Sequence, residues 1–78
     1  MTTRAYILIE TVVGKTPEVS RALSTLPEMR SVDVVTGPYD IIAIAEAADL
    51  PALGNLVSEG MHNISGIVKT VSCLAVGR

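Results

Sequence analysis

The stretch Val34-Val35-Thr36-Gly37-Pro38-Tyr39-Asp40, running straight into Ile41-Ile42-Ala43-Ile44-Ala45, constrains this chain more than any other. Two segments rich in β-branched residues flank a short Gly-Pro interruption, the pattern of a β-hairpin. Gly37 can take φ > 0 without steric penalty, and Pro38 fixes its own φ and has no donor N–H. Tyr39 and Asp40, an amphipathic ring and a carboxylate, then fall where the chain turns back. The hairpin also divides the chain into two halves that repeat one order of elements.

The first half opens with a predicted strand from Ala5 to Val13. Ala5, Ile7, Ile9 and Thr11 lie on one face of it, and Tyr6, Leu8, Glu10 and Val12 on the other. Both faces are largely apolar, so one covering layer of helices leaves the second wanting a partner. A helix is predicted to start at Gly14-Lys15-Thr16-Pro17-Glu18, with Thr16 as the N-cap, Pro17 at the first position and Glu18 complementing the dipole. Val19, Ala22, Leu23 and Leu26 make its apolar stripe, and Pro27 stops it. Met29 to Thr36 leads into the second strand. In the other half, Asp40 to Glu46 is a nearly uninterrupted apolar strand suited to the middle of a sheet. Asp49 is the predicted cap of a second helix with the stripe Leu50, Leu53, Leu56 and Val57, ending near Met61 or His62. Ile67 to Val76 is the last strand, with Thr70, Ser72, Leu74 and Val76 on one side and Val71, Cys73 and Ala75 on the other.

The order βαβ–βαβ predicts an α+β fold of the ferredoxin-like βαββαβ type, a four-stranded antiparallel sheet with two helices on one face. Right-handed crossovers put the first and third strands at the centre and the second and fourth at the edges. At 78 residues the chain is expected to form a single domain over residues 1–78. With no Trp, no Phe and two Tyr, its core must come from Val, Ile, Leu and Ala. Such a chain buries only roughly two-thirds of its unfolded surface, and a lone protomer would be marginal without a disulfide framework or a metal. Size and the two-sided apolar strands therefore both point to a homo-oligomer.

The net charge is −2, and the basic residues Arg4, Lys15, Arg21, Arg30, Lys69 and Arg78 are scattered, so the footprint of a nucleic-acid binder is missing. The single cysteine, Cys73, reads as a small buried hydrophobe in a reducing compartment. The N-terminus lacks the features of a signal peptide, and no apolar run approaches membrane-spanning length. The expectation is a soluble, cytoplasmic protein with no membrane partner.

The inventory for catalysis is thin. His62, the only histidine, could serve as a general base or metal ligand, but without a second ligand or nucleophile nearby it reads as a surface residue at a helix C-terminus. Gly14-Lys15-Thr16 mimics the tail of a P-loop without its earlier glycine. No catalytic residue, metal site or cofactor is expected. Two features stand out instead. One is the loop from Thr36 to Asp40, either a binding loop or a turn in which Asp40 caps its own backbone. The other is Thr70 and Ser72, two hydroxyls on one strand face, either solvent-facing or aimed at a polar ligand. The inferred strand order puts the hairpin and the last strand on opposite edges, so neighbouring protomers rather than one would bring them together.

The hairpin Val35-Thr36-Gly37-Pro38-Tyr39-Asp40-Ile41-Ile42, set between two βαβ halves, resembles the ligand-binding regulatory domain of the Lrp/AsnC (feast/famine) transcription regulators. That family carries a T-G-x-Y-D-type hairpin and a G-V-x-x-T-x-T-like segment entering its last strand. Gly66-Ile67-Val68-Lys69-Thr70-Val71-Ser72 is similar, with Ile for Val and Ser for the second Thr. The resemblance covers essentially the whole chain except that the family's helix-turn-helix domain is missing, so the chain looks like a stand-alone member. It implies sheets packed face to face in a dimer of the dimeric α+β-barrel type, dimers assembled into a ring, and a free amino acid or similar small effector bound between subunits. Thr36, Gly37, Tyr39 and Asp40 of one chain and Thr70 and Ser72 of another would then hold the ligand. Asp40 would take its ammonium group, and Gly37 N–H, Thr70 and Ser72 its carboxylate. A full-length Lrp/AsnC-type regulator is a further partner on this reading. The rivals are a small α+β-barrel enzyme of the monooxygenase-like type, disfavoured by the poverty of aromatic residues, and a purely structural adaptor that forms mixed oligomers with a full-length regulator.

Overall fold

A computed structural model describes residues 2–76. The elements run β1 (Thr3–Thr11), α1 (Thr16–Ser24), β2 (Met29–Val34), β3 (Ile41–Ala47), α2 (Leu50–Asn55) and β4 (Ile67–Leu74), with a π-helical turn (Leu56–Met61) continuing α2. The sheet order is β2-β3-β1-β4 with every neighbouring pair antiparallel, which is the ferredoxin-like arrangement expected from the sequence.

Strand alternation decides which side chains form the core. Ala5, Ile7 and Ile9 of β1 and Ile41, Ala43 and Ala45 of β3 are fully buried beneath the helices, together with Val19, Leu23, Leu53, Leu56 and Met61. Alanines at three of these sheet positions leave room for the helices to approach closely. The opposite faces of the same strands carry Tyr6, Leu8, Ile42 and Ile44, over which no helix lies. Val71 and Cys73 of β4 join that face through their register with Leu8 and Tyr6.

Several local readings need correction. Thr16 does not cap α1: Lys15 holds the cap position without a side-chain bond, and the Thr16 hydroxyl is instead 2.6 Å from Thr11 Oγ1. Helix α1 ends at Ser24, before Pro27, because Thr25 closes its last turn onto Ala22 and Leu23. Asp49 does cap α2, accepting from Ala52 N–H at 2.9 Å. Leu50, at the first position of α2, is 56% exposed rather than part of the buried stripe. Cys73 is exposed, not buried, because β4 is an edge strand and Cys73 faces away from the helices.

Glycine is required at one connection. Gly66 has φ +101, and a Cβ there would fall 2.9 Å from Val19 Cγ2 and 3.2 Å from Lys15 Cβ. The turn before β4 thus rests directly on the start of α1, and Val12 N–H donates to Gly66 C=O at 2.8 Å to hold it there.

Candidate functional site

The hairpin closes where Val35 N–H donates to Asp40 C=O at 2.9 Å, leaving Thr36 to Tyr39 as the loop. Thr36 and Gly37 are exposed, and Tyr39 and Asp40 are half-buried. Asp40 is the anchor. Its N–H donates to Ile9 C=O at 2.9 Å, and its Oδ2 accepts Thr11 N–H at 2.8 Å and the Thr11 hydroxyl at 3.2 Å. The carboxylate therefore ties the loop to the end of β1 rather than capping its own turn. Thr11, 7% exposed, also pairs with Thr16, so one small polar cluster joins β1, α1 and the hairpin. Asp40 Oδ1 is engaged by no other group among the described residues.

Thr70 and Ser72 pair with Ile9 and Ile7 on the other side of β1 and so lie on the helix-covered face of the sheet. A bulge at Val68 brings Ile67 to the same face. Lys69 stands opposite Glu10, yet Ile67, two residues away, stands opposite Thr11, so Ile67 packs on the core while Thr70 keeps the same side. Asp40 and Thr70 thus flank β1 near one end of the sheet, two strand spacings or about 10 Å apart. That is closer than opposite edges implied.

Two open grooves run between the second helical segment and β4. One, of about 330 Å³, is lined by Val57, Met61, His62, Ile64, Ile67, Val68, Lys69 and Thr70. The other, of about 370 Å³, is lined by Ala5, Leu50, Leu53, Gly54, Val57, Ser58, Ser72 and Leu74. Val57 belongs to both. None of Thr36, Gly37, Tyr39 or Asp40 lines either groove. Thr70 therefore lines the first groove and Ser72 the second, and the hairpin residues lie outside both. Sequence reasoning passed over Thr11, the lock of the hairpin, and the part His62 takes in a groove wall. The register of β1 against β3 and β4 carries both facts, and local pattern does not.

On the open face, Arg4 donates through Nε and Nη2 to Glu46 Oε2 at 2.9 and 2.7 Å, and Arg30 Nε lies 3.4 Å from Glu46 Oε1. The hydrogen bonds from Arg4, aided by the nearby charges of Arg4 and Arg30, hold the Glu46 carboxyl below its ordinary range. This charged cluster borders the apolar patch of Tyr6, Leu8, Ile42 and Ile44. Among the described residues, no group of three His, Cys, Asp or Glu is placed to hold a metal ion. No helix of the described residues is long and apolar enough to cross a membrane.

Topology and helix placement make this a ferredoxin-like α+β domain with one helix-covered and one open sheet face. The family model of the Lrp/AsnC ligand binding domain matches residues 4–78, and the chain belongs to that family. It is 28% identical over 72 residues to an HTH-type transcriptional regulator, LysM, of Saccharolobus solfataricus, covering 91% of this chain and 50% of that protein. The chain thus spans about half the length of that curated relative. A solved Thermus thermophilus protein, TTHA0845, superposes with TM-score 0.93 at 29% identity, covering 97% of this chain and 95% of the other. A Neisseria meningitidis transcriptional regulator, solved as a complex with L-Met, shares the fold at TM-score 0.86 and 19% identity, with 96% of this chain and 50% of that one covered.

Proposed function

We propose that this chain is a non-catalytic sensing module that binds a free amino acid between protomers of a homo-oligomer. The observation that carries the reading is the division of candidate residues: Thr70 and Ser72 line grooves to which the hairpin contributes nothing. A site that uses both sets draws them from two chains. The hairpin of one protomer offers Gly37 N–H, Thr36, Tyr39 and the free Oδ1 of Asp40, and the last strand of another offers Thr70 and Ser72. These groups suit a zwitterion, with a carboxylate for its ammonium and N–H and O–H donors for its carboxylate. The meningococcal regulator solved with L-Met supports the choice of ligand class.

Assembly follows from the open sheet face. Tyr6, Leu8, Ile42 and Ile44 are apolar and uncovered by any helix, and burial against the same face of a second copy gives a self-complementary two-fold dimer. Dimers then close into a ring in which hairpin and last strand of different chains meet. On this reading the module is cytoplasmic, and residues 1–78 do not bind DNA by themselves, given their net charge of −2 and scattered basic residues. A full-length regulator of the same family is a further candidate partner, in mixed oligomers. A thermal-shift screen of the twenty amino acids tests the reading, since a ligand that binds only the native state raises its melting temperature. A clear shift with one class of amino acid supports sensing. No shift with any of them rejects it.

A further inference from the structure

The two grooves beside β4 differ in chemistry along one line. At the Thr70 end stand Thr70, Lys69 and His62. At the Ser72 end the walls are Ala5, Leu50, Leu53 and Leu74, with Val57 shared between the two. Thr70 and Ser72 lie two residues apart on one strand face, so the polar and apolar ends are separated by about 7 Å. Among the described residues the hydroxyls of Thr70 and Ser72 and the His62 ring make no hydrogen bond to protein, and they remain free for a ligand. Lys69 stands opposite Glu10 in the sheet. Hydrogen-bond donors at one end and an aliphatic wall at the other describe a receptor for an amphipathic monocarboxylate.

Resting on the sensing role proposed above, we infer that the two grooves, which share Val57, together receive the ligand and that the apolar one selects amino acids with an apolar side chain. The ligand carboxylate lies at Thr70, and its side chain runs along Val57 toward Leu53 and Leu74. A polar side chain such as that of Asn or Asp would lose its water there and find only the Ser72 and Ser58 hydroxyls. Each extra buried methylene favours the longer aliphatic ligand, and one methylene discriminates by roughly tenfold or more in a hydrophobic pocket. Gly54 sets the size of the apolar end. It lines the groove from α2, and a Cβ added there meets nothing within 4 Å, so the space belongs to the groove.

The test is calorimetric titration of the assembled protein with leucine, methionine, alanine, asparagine and aspartate, on the native chain and on Gly54→Leu. The native chain should bind leucine or methionine at least tenfold tighter than alanine, asparagine or aspartate. Gly54→Leu, which fills the apolar end, should collapse the leucine-to-alanine preference to near unity while keeping alanine binding and the native oligomer. A merely structural role for Gly54 would lower both affinities together and leave their ratio intact, which overturns the inference. Asparagine or aspartate as the tightest ligand overturns it as well, while the sensing role itself stands. Binding of none of the five overturns the inference, and the screen of all twenty amino acids then decides the sensing role separately. Should Gly54→Leu lose its melting transition, Ser58→Leu, exposed on the same groove wall, takes its place with the same expected ratio.

Discussion

Replacing Asp40 separates its work in the fold from its work on a ligand. In Asp40→Ala, Thr11 N–H loses its acceptor at 2.8 Å, and Thr11 is only 7% exposed, so water does not readily substitute. The Thr11 hydroxyl keeps Thr16 as a partner at 2.6 Å and adds little to the loss. A hydrogen bond to a charged group contributes about 1.5–3 kcal/mol. At about 2 kcal/mol, a domain of this size should melt roughly 8–16 °C lower. Asp40→Asn keeps an oxygen in place for Thr11 N–H and removes only the charge, so it should recover about half or more of that loss. Its effect on a bound amino acid should be undiminished, tenfold to a hundredfold weaker at about 1.5–3 kcal/mol, because an amide does not neutralise an ammonium group. The assay is thermal unfolding at one fixed protomer concentration, since association shifts the midpoint, followed by titration of the bound amino acid. If Asp40→Ala melted within a degree or two of the native protein, the Thr11–Asp40 tie would carry no structural weight and the reasoning would fail.

Other outcomes follow from the same packing and contacts. Gly66→Ala forces a Cβ to 2.9 Å from Val19 Cγ2 at φ +101 and should cost about 1–3 kcal/mol, read as a lower denaturation midpoint. Leu23→Ala opens a cavity in the fully buried core and should cost about 2–5 kcal/mol by chemical denaturation. Ile44→Glu places a charge in the middle of the open sheet face and should reduce the oligomer to monomers in light scattering; an unchanged mass would move the dimer interface elsewhere. Glu46 supports the native state fully above the ordinary carboxylate range, and that support is lost as pH falls through its lowered folded value. Glu46→Gln should therefore lower stability at neutral pH, where that support is fully present, and converge with the native protein at acid pH, flattening the acid limb of a stability-versus-pH profile.

Much of the fold was legible because it rests on local periodicity. The alternation through Ala5, Ile7 and Ile9 and the Asp49 cap each follow from side chains close in sequence, and the split βαβ order then determines the strand order. Leu50 looked buried because it continues the stripe of Leu53 and Leu56, yet it stands in the first turn of α2 and is 56% exposed. The polar lock was invisible for a different reason. Thr11 and Asp40 are 29 positions apart, and only the pairing of β1 with β3 brings them to 2.8 Å. Thr16 reads as a cap in any local window, and only its approach to Thr11 draws the hydroxyl away. The groove wall of Val57, His62 and Thr70 is likewise a product of register, since the pairing of Thr70 with Ile9 sets its face and the bulge at Val68 brings Ile67 to the same side. Thr70 and Ser72 could be singled out from sequence because hydroxyls are conspicuous in an apolar strand, but where they point could not.

The claim that one site is built by two chains has a direct test in mixed oligomers. Asp40→Asn damages only the hairpin half and Thr70→Val only the last-strand half. Each variant alone should bind the amino acid at least tenfold more weakly than the native protein. When the two are unfolded and refolded together in equal amounts, random assembly should restore native affinity at about one quarter of the sites, those pairing an intact hairpin with an intact last strand from different chains. Titration of the mixture should show that fraction as a separate tight phase. A mixture that binds no more tightly than its two components would place both halves in one protomer and contradict the shared site.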